Sequence, residues 1–198
     1  MMAAGVEQDS TVRASLVRAF GLAAAQLAPA GGAPGAAAER EAARGRLLAH
    51  VWSVIQEAKR EGPIPAVLFD AVVHAYCDAG LPAHAEELLG MGAELGCEPS
   101  AEAFARVLHA LEGEPRQFFA LWERMLAETG ARPGPLAMQL ALGVAAASRD
   151  ARRAQAVLEL MFAAREAPAA EAADALRSLP PGPEAAAVRR LLNELGRA

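Results

Sequence analysis

The chain has 198 residues and a formal net charge of −5, and about a quarter of its residues are alanine. Aromatic residues contribute only 5% of the sequence, far less than β-sheets normally contain, so the composition predicts an all-α protein. The acidic balance argues against a free-standing nucleic-acid binder, whose affinity rests on many phosphate contacts.

The N-terminal segment, residues 1–65, is predicted to form two helices at 10–28 and 36–61, joined by a loop rich in proline and glycine. Together these helices could form a divergent leading repeat. Residues 10–28 carry Arg13 and Arg18 and no acidic residue, a pattern typical of an organellar presequence. Two interpretations stay open: the first helix derives from a targeting segment, or it remains part of the mature fold.

Residues 66–169 contain an internal repeat with a period of about 35 residues. Gly96 and Pro99 recur 34 residues later as Gly130 and Pro133, and a third copy ends around Pro168. Three copies in register predict an array of repeated structural units. We call these units repeat 1 (66–100), repeat 2 (101–134) and repeat 3 (135–169).

Each repeat is predicted to hold two helices. In repeat 1, apolar residues recur at helical spacing, Pro82 is placed to begin the second helix, and Gly96 is placed to end it. Ser100 and Asp150 are predicted N-caps, because their side-chain oxygens can accept a hydrogen bond from an unpaired backbone N–H. Residues 170–198 are predicted to form a shorter helix pair that caps the array.

The first helix of repeat 1 reads FDAVVHAYCDAG from Phe69 to Gly80. With the closing Gly96 and Pro99 and the 35-residue period, this segment resembles the pentatricopeptide repeat (PPR) family. The Trp/Gly/Tyr pattern of the neighbouring tetratricopeptide repeat is missing. The resemblance implies an α-solenoid on the reducing matrix or stroma side of mitochondria or plastids, acting in RNA processing, editing, stability or translation.

In that family, the fifth and last residues of each repeat together read one RNA base. The resemblance assigns these places to Asp70 and Ser100, to Ala105 and Gly134, and to Gln139 and Ala169, of which only Ser100 fits the family's preferences. The second residue, which wedges between bases in the family, is here Val67, Glu102 or Leu136, and a carboxylate at Glu102 would repel phosphate. We therefore predict a degenerate PPR-like protein whose base-reading positions are eroded.

Two groups of residues are candidates for docking a partner. Phe118 lies beside Phe119 and Trp122 on a short helix, and we expect it either to be exposed as a partner anchor or to fill space left by a short turn. Arg149, Arg152 and Arg153 cluster around a predicted turn, where they could contact RNA phosphate or an acidic subunit. The alternative for these arginines is a solvated helix end.

The sequence predicts no catalytic function. It contains no nucleophile elbow, no phosphate-binding loop and no cysteine pair at metal spacing. His74 and His109 occupy equivalent first-helix places with Cys77 nearby, but we expect polar groove residues there and not a metal site. We expect Cys77 to be buried and Cys97 to be the exposed thiol, and we expect no cofactor, no small-molecule substrate and no membrane span.

These observations predict a non-catalytic α-solenoid that acts as a docking subunit of a large organellar assembly. A ribosome or other ribonucleoprotein is the first expected setting, and a respiratory or photosynthetic complex the second. Any contact of the chain with RNA would then be made through the assembly. Two alternatives remain open: a PPR-type RNA-binding factor in organellar transcript processing or translation, and an adaptor whose groove takes a short helical peptide.

Overall fold

The computed structural model describes residues 2–27, 34–128 and 133–196. These residues form ten helices and no strand, which confirms the predicted all-α class. Within the described residues no helix has both the length and the apolar character needed to cross a membrane. The helices are α1 (Met2–Gln26), α2 (Pro34–Glu61), α3 (Ala66–Asp78), α4 (Pro82–Gly90), α5 (Ala101–Ala110), α6 (Pro115–Glu128), α7 (Pro135–Ala147), α8 (Ala151–Ala164), α9 (Ala170–Arg177) and α10 (Pro183–Leu195).

The first compact unit comprises residues 1–110. Within it, α3 packs against both α1 and α5, while α2 packs against α1 and α3, and α4 packs against α3 and α5. Each helix therefore contacts the next helix or the next but one, as neighbouring helix pairs do in a helical-repeat protein. The α1–α2 pair, predicted as a divergent leading repeat, packs against α3 through both of its helices.

Helix α1 is tightly packed against α3. A Cβ atom added to Gly21 would lie 2.6 Å from the Cα of Ala75, so only glycine permits this approach. On the same helix Val17 and Ala24 are fully buried, and both terminal nitrogens of Arg13 donate hydrogen bonds to Glu61, at 2.7 and 2.8 Å. Helix α1 is therefore packed into the first compact unit.

The second compact unit comprises residues 111–198. Here α7 packs against α6, α8 and α9, and α10 packs against α8 and α9. As in the first compact unit, each helix contacts the next helix or the next but one. The boundary between the compact units falls inside the predicted repeat 2, so that α5 and α6 belong to different units.

The local signals at the helix ends are largely confirmed. Ser100 Oγ accepts a hydrogen bond from the backbone N–H of Ala103 at 3.0 Å, and Asp150 caps α8 through the N–H of Arg153 at 3.0 Å. Helix α4 begins at Pro82 as expected, but the prediction that it continues to Gly96 is wrong, because it ends at Gly90.

A folded-back turn explains the early end of α4. The backbone N–H of Cys97 donates to the carbonyl of Gly92 at 2.9 Å. A Cβ atom at Gly92 would lie 2.8 Å from both the Cys97 carbonyl oxygen and the Pro99 ring. The chain therefore turns six residues earlier than the glycine signal at Gly96 indicated.

The packing of α1 predicts opposite effects for two glycine-to-alanine substitutions. Gly21→Ala should lower the free energy of unfolding by about 1–3 kcal/mol, because the new methyl group overpacks against the α3 backbone. Gly45→Ala should raise it by about 0.5–1 kcal/mol, because Gly45 lies in the interior of α2 with no atom within 4 Å of an added Cβ. Chemical denaturation followed by circular dichroism measures both changes, and equal effects of the two substitutions would contradict the close α1–α3 contact.

Candidate functional site

The fifth and last residues of repeat 1 are directly hydrogen-bonded to each other. Ser100 Oγ donates to Asp70 Oδ2 at 2.8 Å, while the same oxygen accepts from the Ala103 N–H at the start of α5. Asp70 lies on α3. The pair therefore ties the beginning of one first helix to the preceding first helix, and both donor and acceptor functions of Ser100 are used inside the protein.

The fifth and last residues of repeat 3 are joined in an analogous way. Gln139 on α7 accepts a hydrogen bond at Oε1 from the backbone N–H of Ala169, at 2.8 Å, and its Nε2 donates to the carbonyl oxygen of Ala167, at 2.6 Å. Ala169 is the N-cap residue of α9. The amide of Gln139 thus holds the start of α9 against α7.

Repeat 2 offers no polar side chain at the corresponding places. Ala105 is half-buried on α5 in the first compact unit, and Gly134 is an exposed N-cap residue of α7 in the second. Neither residue has a side chain that can donate to or accept from a base edge.

The side chains that the resemblance assigned to base reading therefore act as contacts between consecutive first helices. We call the Asp70–Ser100 and Gln139–Ala169 pairs the inter-helix clamps. Ser100 already uses its hydroxyl proton and one lone pair within the protein, and Gln139 uses Oε1 and one Nε2 N–H. Each such hydrogen bond contributes about 0.5–1.5 kcal/mol to stability. Both side chains are therefore held in orientations that join consecutive first helices.

The surroundings of the first clamp favour neutral side chains. Burial raises the pKa of the Asp70 carboxyl, an effect opposed by its hydrogen bond from Ser100, and burial lowers the pKa of the His74 imidazole. Among the described residues, Asp70 Oδ1 and His74 Nε2 are buried without a hydrogen-bond partner. Nearby, Arg106 on α5 is paired with Asp78 on α3.

No metal site forms among the residues that the structure describes, since none of their His, Cys, Asp and Glu side chains gather in a group of three or more that could hold an ion. The predicted exposures of the two thiols are wrong: Cys97 is only 8% exposed, and Cys77 is half-buried. Burial raises the pKa of the Cys77 thiol to about 12 and also raises that of Cys97. Both side chains are therefore thiols, and not nucleophilic thiolates, at neutral pH.

Of the two alternatives expected for Phe118, the exposed partner anchor is wrong, because its side chain is 0% exposed and fills space inside the protein. Its ring meets that of Phe119 edge to face, with centroids 5.2 Å apart. Leu121 and Met125, which follow at helical spacing, are buried too, so α6 buries a wider stripe than the sequence pattern indicated.

The three arginines near the start of α8 differ in their surroundings. The guanidinium of Arg153 lies 4.3 Å from the centre of the Phe119 ring, and its Nε is 3.7 Å from Asp150 Oδ2. Arg149 and Arg152 are exposed, and within the described part of the chain neither forms an ion pair. Of these three described arginines, Arg149 and Arg152 therefore present an exposed cation that a partner could contact.

Two arginines occupy backbone positions that favour glycine. Arg149 has φ of 55° and Arg165 has φ of 58°, whereas the equivalent places of repeat 1 hold Gly80 at 74° and Gly96 at 70°. The left-handed conformation costs a residue with a Cβ roughly 1–2 kcal/mol. The sequence analysis did not identify Arg165 as a candidate residue. One signal could have identified it: Arg165 occupies in repeat 3 the place that Gly96 occupies in repeat 1. Backbone strain is concentrated at functional sites, so the exposed side chains of Arg149 and Arg165 are candidates for a functional contact.

The second residues of the repeats are accessible. Val67 is 41% exposed on α3 and Leu136 is 65% exposed on α7, and Glu102 on α5 is exposed as well. Apolar side chains therefore reach solvent at equivalent places in repeats 1 and 3.

No protein-family model matches the chain, and no curated protein matches it either. The resemblance to the PPR family therefore remains a prediction that rests on the residues of repeat 1 and the 35-residue period.

The strained arginines predict a stabilising substitution. Arg149→Gly and Arg165→Gly should each raise the free energy of unfolding by about 0.5–1 kcal/mol, because glycine adopts positive φ without strain. Arg190→Gly is the matched control, since it removes an exposed arginine from the interior of α10 and should lower stability by about 1 kcal/mol. Urea denaturation of the three variants checks the prediction, which fails if all three lose stability.

Proposed function

We propose that this chain is a non-catalytic helical-repeat docking subunit of a large organellar assembly. A ribosome or other ribonucleoprotein is the first proposed setting, and a respiratory or photosynthetic complex is the second. The observation that carries the proposal is the pair of inter-helix clamps, in which the side chains that would read RNA bases are engaged within the protein.

The exposed second residues supply contacts suited to a protein partner. Burying a valine or leucine side chain contributes roughly 1.5–3 kcal/mol, so Val67 and Leu136 would each add appreciably to docking. Exposed Glu102 and the net charge of −5 oppose binding to phosphate and favour a partner surface with basic residues.

The chemistry of the buried polar groups also supports a non-catalytic role. Burial raises the pKa of both thiols and of Asp70 and lowers the pKa of His74. The raised pKa values of the two thiols suppress the thiolate nucleophile on which cysteine catalysis depends.

The alternative function is a PPR-type RNA-binding factor in organellar transcript processing or translation. The exposed cations of Arg149, Arg152 and Arg165 on the second compact unit favour it, because arginine suits phosphate contacts. The strained backbone at two of these residues adds weight to a role for their side chains.

Native purification separates the two functions. The tagged chain is purified from organelles of its source cells, with and without limited ribonuclease treatment, and sized before mass spectrometry. The proposal expects a large complex that persists after digestion. Release as a monomer by ribonuclease would favour the RNA-binding alternative, and a monomer before digestion would contradict docking.

A matched pair of substitutions tests the docking contacts in the same experiment. Leu136→Glu should reduce the fraction of chain in the large complex by about fivefold or more, which corresponds to the loss of roughly 1 kcal/mol of apolar contact. Phe162→Glu, at an exposed position of α8 in the same compact unit, should retain the complex. Equal retention of the two variants would contradict a contact through Leu136.

A further inference from the structure

A cleft in the first compact unit is lined by side chains that the sequence analysis did not connect. It has a volume of about 360 Å³, near the lower end of the roughly 300–1,000 Å³ typical of ligand pockets. Helices α2, α3 and α4 each contribute to its wall. The lining residues are Trp52, Tyr76, His84, Glu87, Leu88 and Met91.

Aromatic faces dominate one part of this cleft. The rings of Tyr76 and His84 are stacked, with centroids 6.0 Å apart and planes within 11°. Tyr76 is held in place by packing against the buried cluster of Ala24, Leu48 and Ala79. Trp52 adds a half-buried indole from α2. The faces of the tyrosine and tryptophan rings carry partial negative charge.

A single carboxylate completes the cleft. Glu87 is exposed on α4, and within the described residues its side chain forms no hydrogen bond or ion pair. Leu88 and Met91 supply apolar surface beside it. An unpaired carboxylate next to aromatic faces attracts a cation, and a phosphate would be repelled.

We propose that this cleft binds an arginine side chain of a partner protein. The planar guanidinium can stack on the aromatic rings and donate two parallel hydrogen bonds to a carboxylate, a combination that the point charge of lysine does not provide. Leu88 and Met91 would contact the aliphatic part of the arginine side chain. The proposal deepens the docking function by naming the partner's chemistry, and it rests on that function in requiring a protein partner.

Nuclear magnetic resonance of the full chain tests this assignment directly. The chain has two tryptophans, and Trp122, which is 4% exposed in the second compact unit, serves as an internal reference. A short peptide with one arginine is titrated to tens of millimolar, and the same peptide with citrulline is the uncharged control. The indole N–H signal of Trp52 should shift with the arginine peptide only, while that of Trp122 stays fixed.

A charge-neutralising variant with a matched control completes the test. Glu87→Gln should weaken arginine-peptide binding by roughly two- to fivefold, the loss expected for an exposed ion pair. Glu86→Gln changes the net charge equally at a residue outside the cleft lining and should leave binding unchanged. Amide spectra like those of the wild type establish that both variants are folded.

Three results would overturn the assignment: no shift of the Trp52 signal, equal shifts with the citrulline peptide, or equal binding by the two glutamine variants. None of these results bears on whether the native chain migrates in a large complex. A monomeric native chain that still binds the arginine peptide would contradict the docking function while leaving the chemistry of the cleft intact.

Discussion

Close helix packing through small side chains is the constraint on which the rest of this structure depends. About a quarter of the chain is alanine, and where a helix buries such small side chains it must approach its neighbour closely. Gly21 makes such a close contact with the backbone at Ala75, where an added Cβ atom would lie 2.6 Å from Ala75 Cα. It makes α1 an integral part of the first compact unit.

The same constraint explains where polar side chains are placed. Consecutive first helices lie close enough for the two inter-helix clamps to form hydrogen bonds between them. Side chains that serve this packing have part of their hydrogen-bonding capacity occupied within the protein. Among the described residues, the features that support the docking proposal are the exposed apolar residues at second positions, the unpaired arginines of the second compact unit and the aromatic cleft with Glu87.

The fold could be predicted from sequence because its signals are local. Helical periodicity, Pro82 at a helix start, and Ser100 and Asp150 as caps all act within a few residues, and the structure confirms them. The burial of Phe118 and Cys97 could not be predicted in this way, because it depends on how helices distant in sequence pack. The cleft was missed for the same reason, since Trp52, Tyr76 and Glu87 come from three helices and form no linear motif.

The central claim is that the fifth and last residues of repeats 1 and 3 hold helices together and do not read bases. Amide hydrogen exchange at Ala103 and Ala169 tests it most directly, because their N–H groups donate to Ser100 Oγ and Gln139 Oε1. The account predicts that Ser100→Ala and Gln139→Ala each accelerate exchange at the corresponding amide, and that a random pool of single-stranded RNA leaves exchange in the unmodified chain unchanged. A change in protection at either amide on addition of RNA would contradict it.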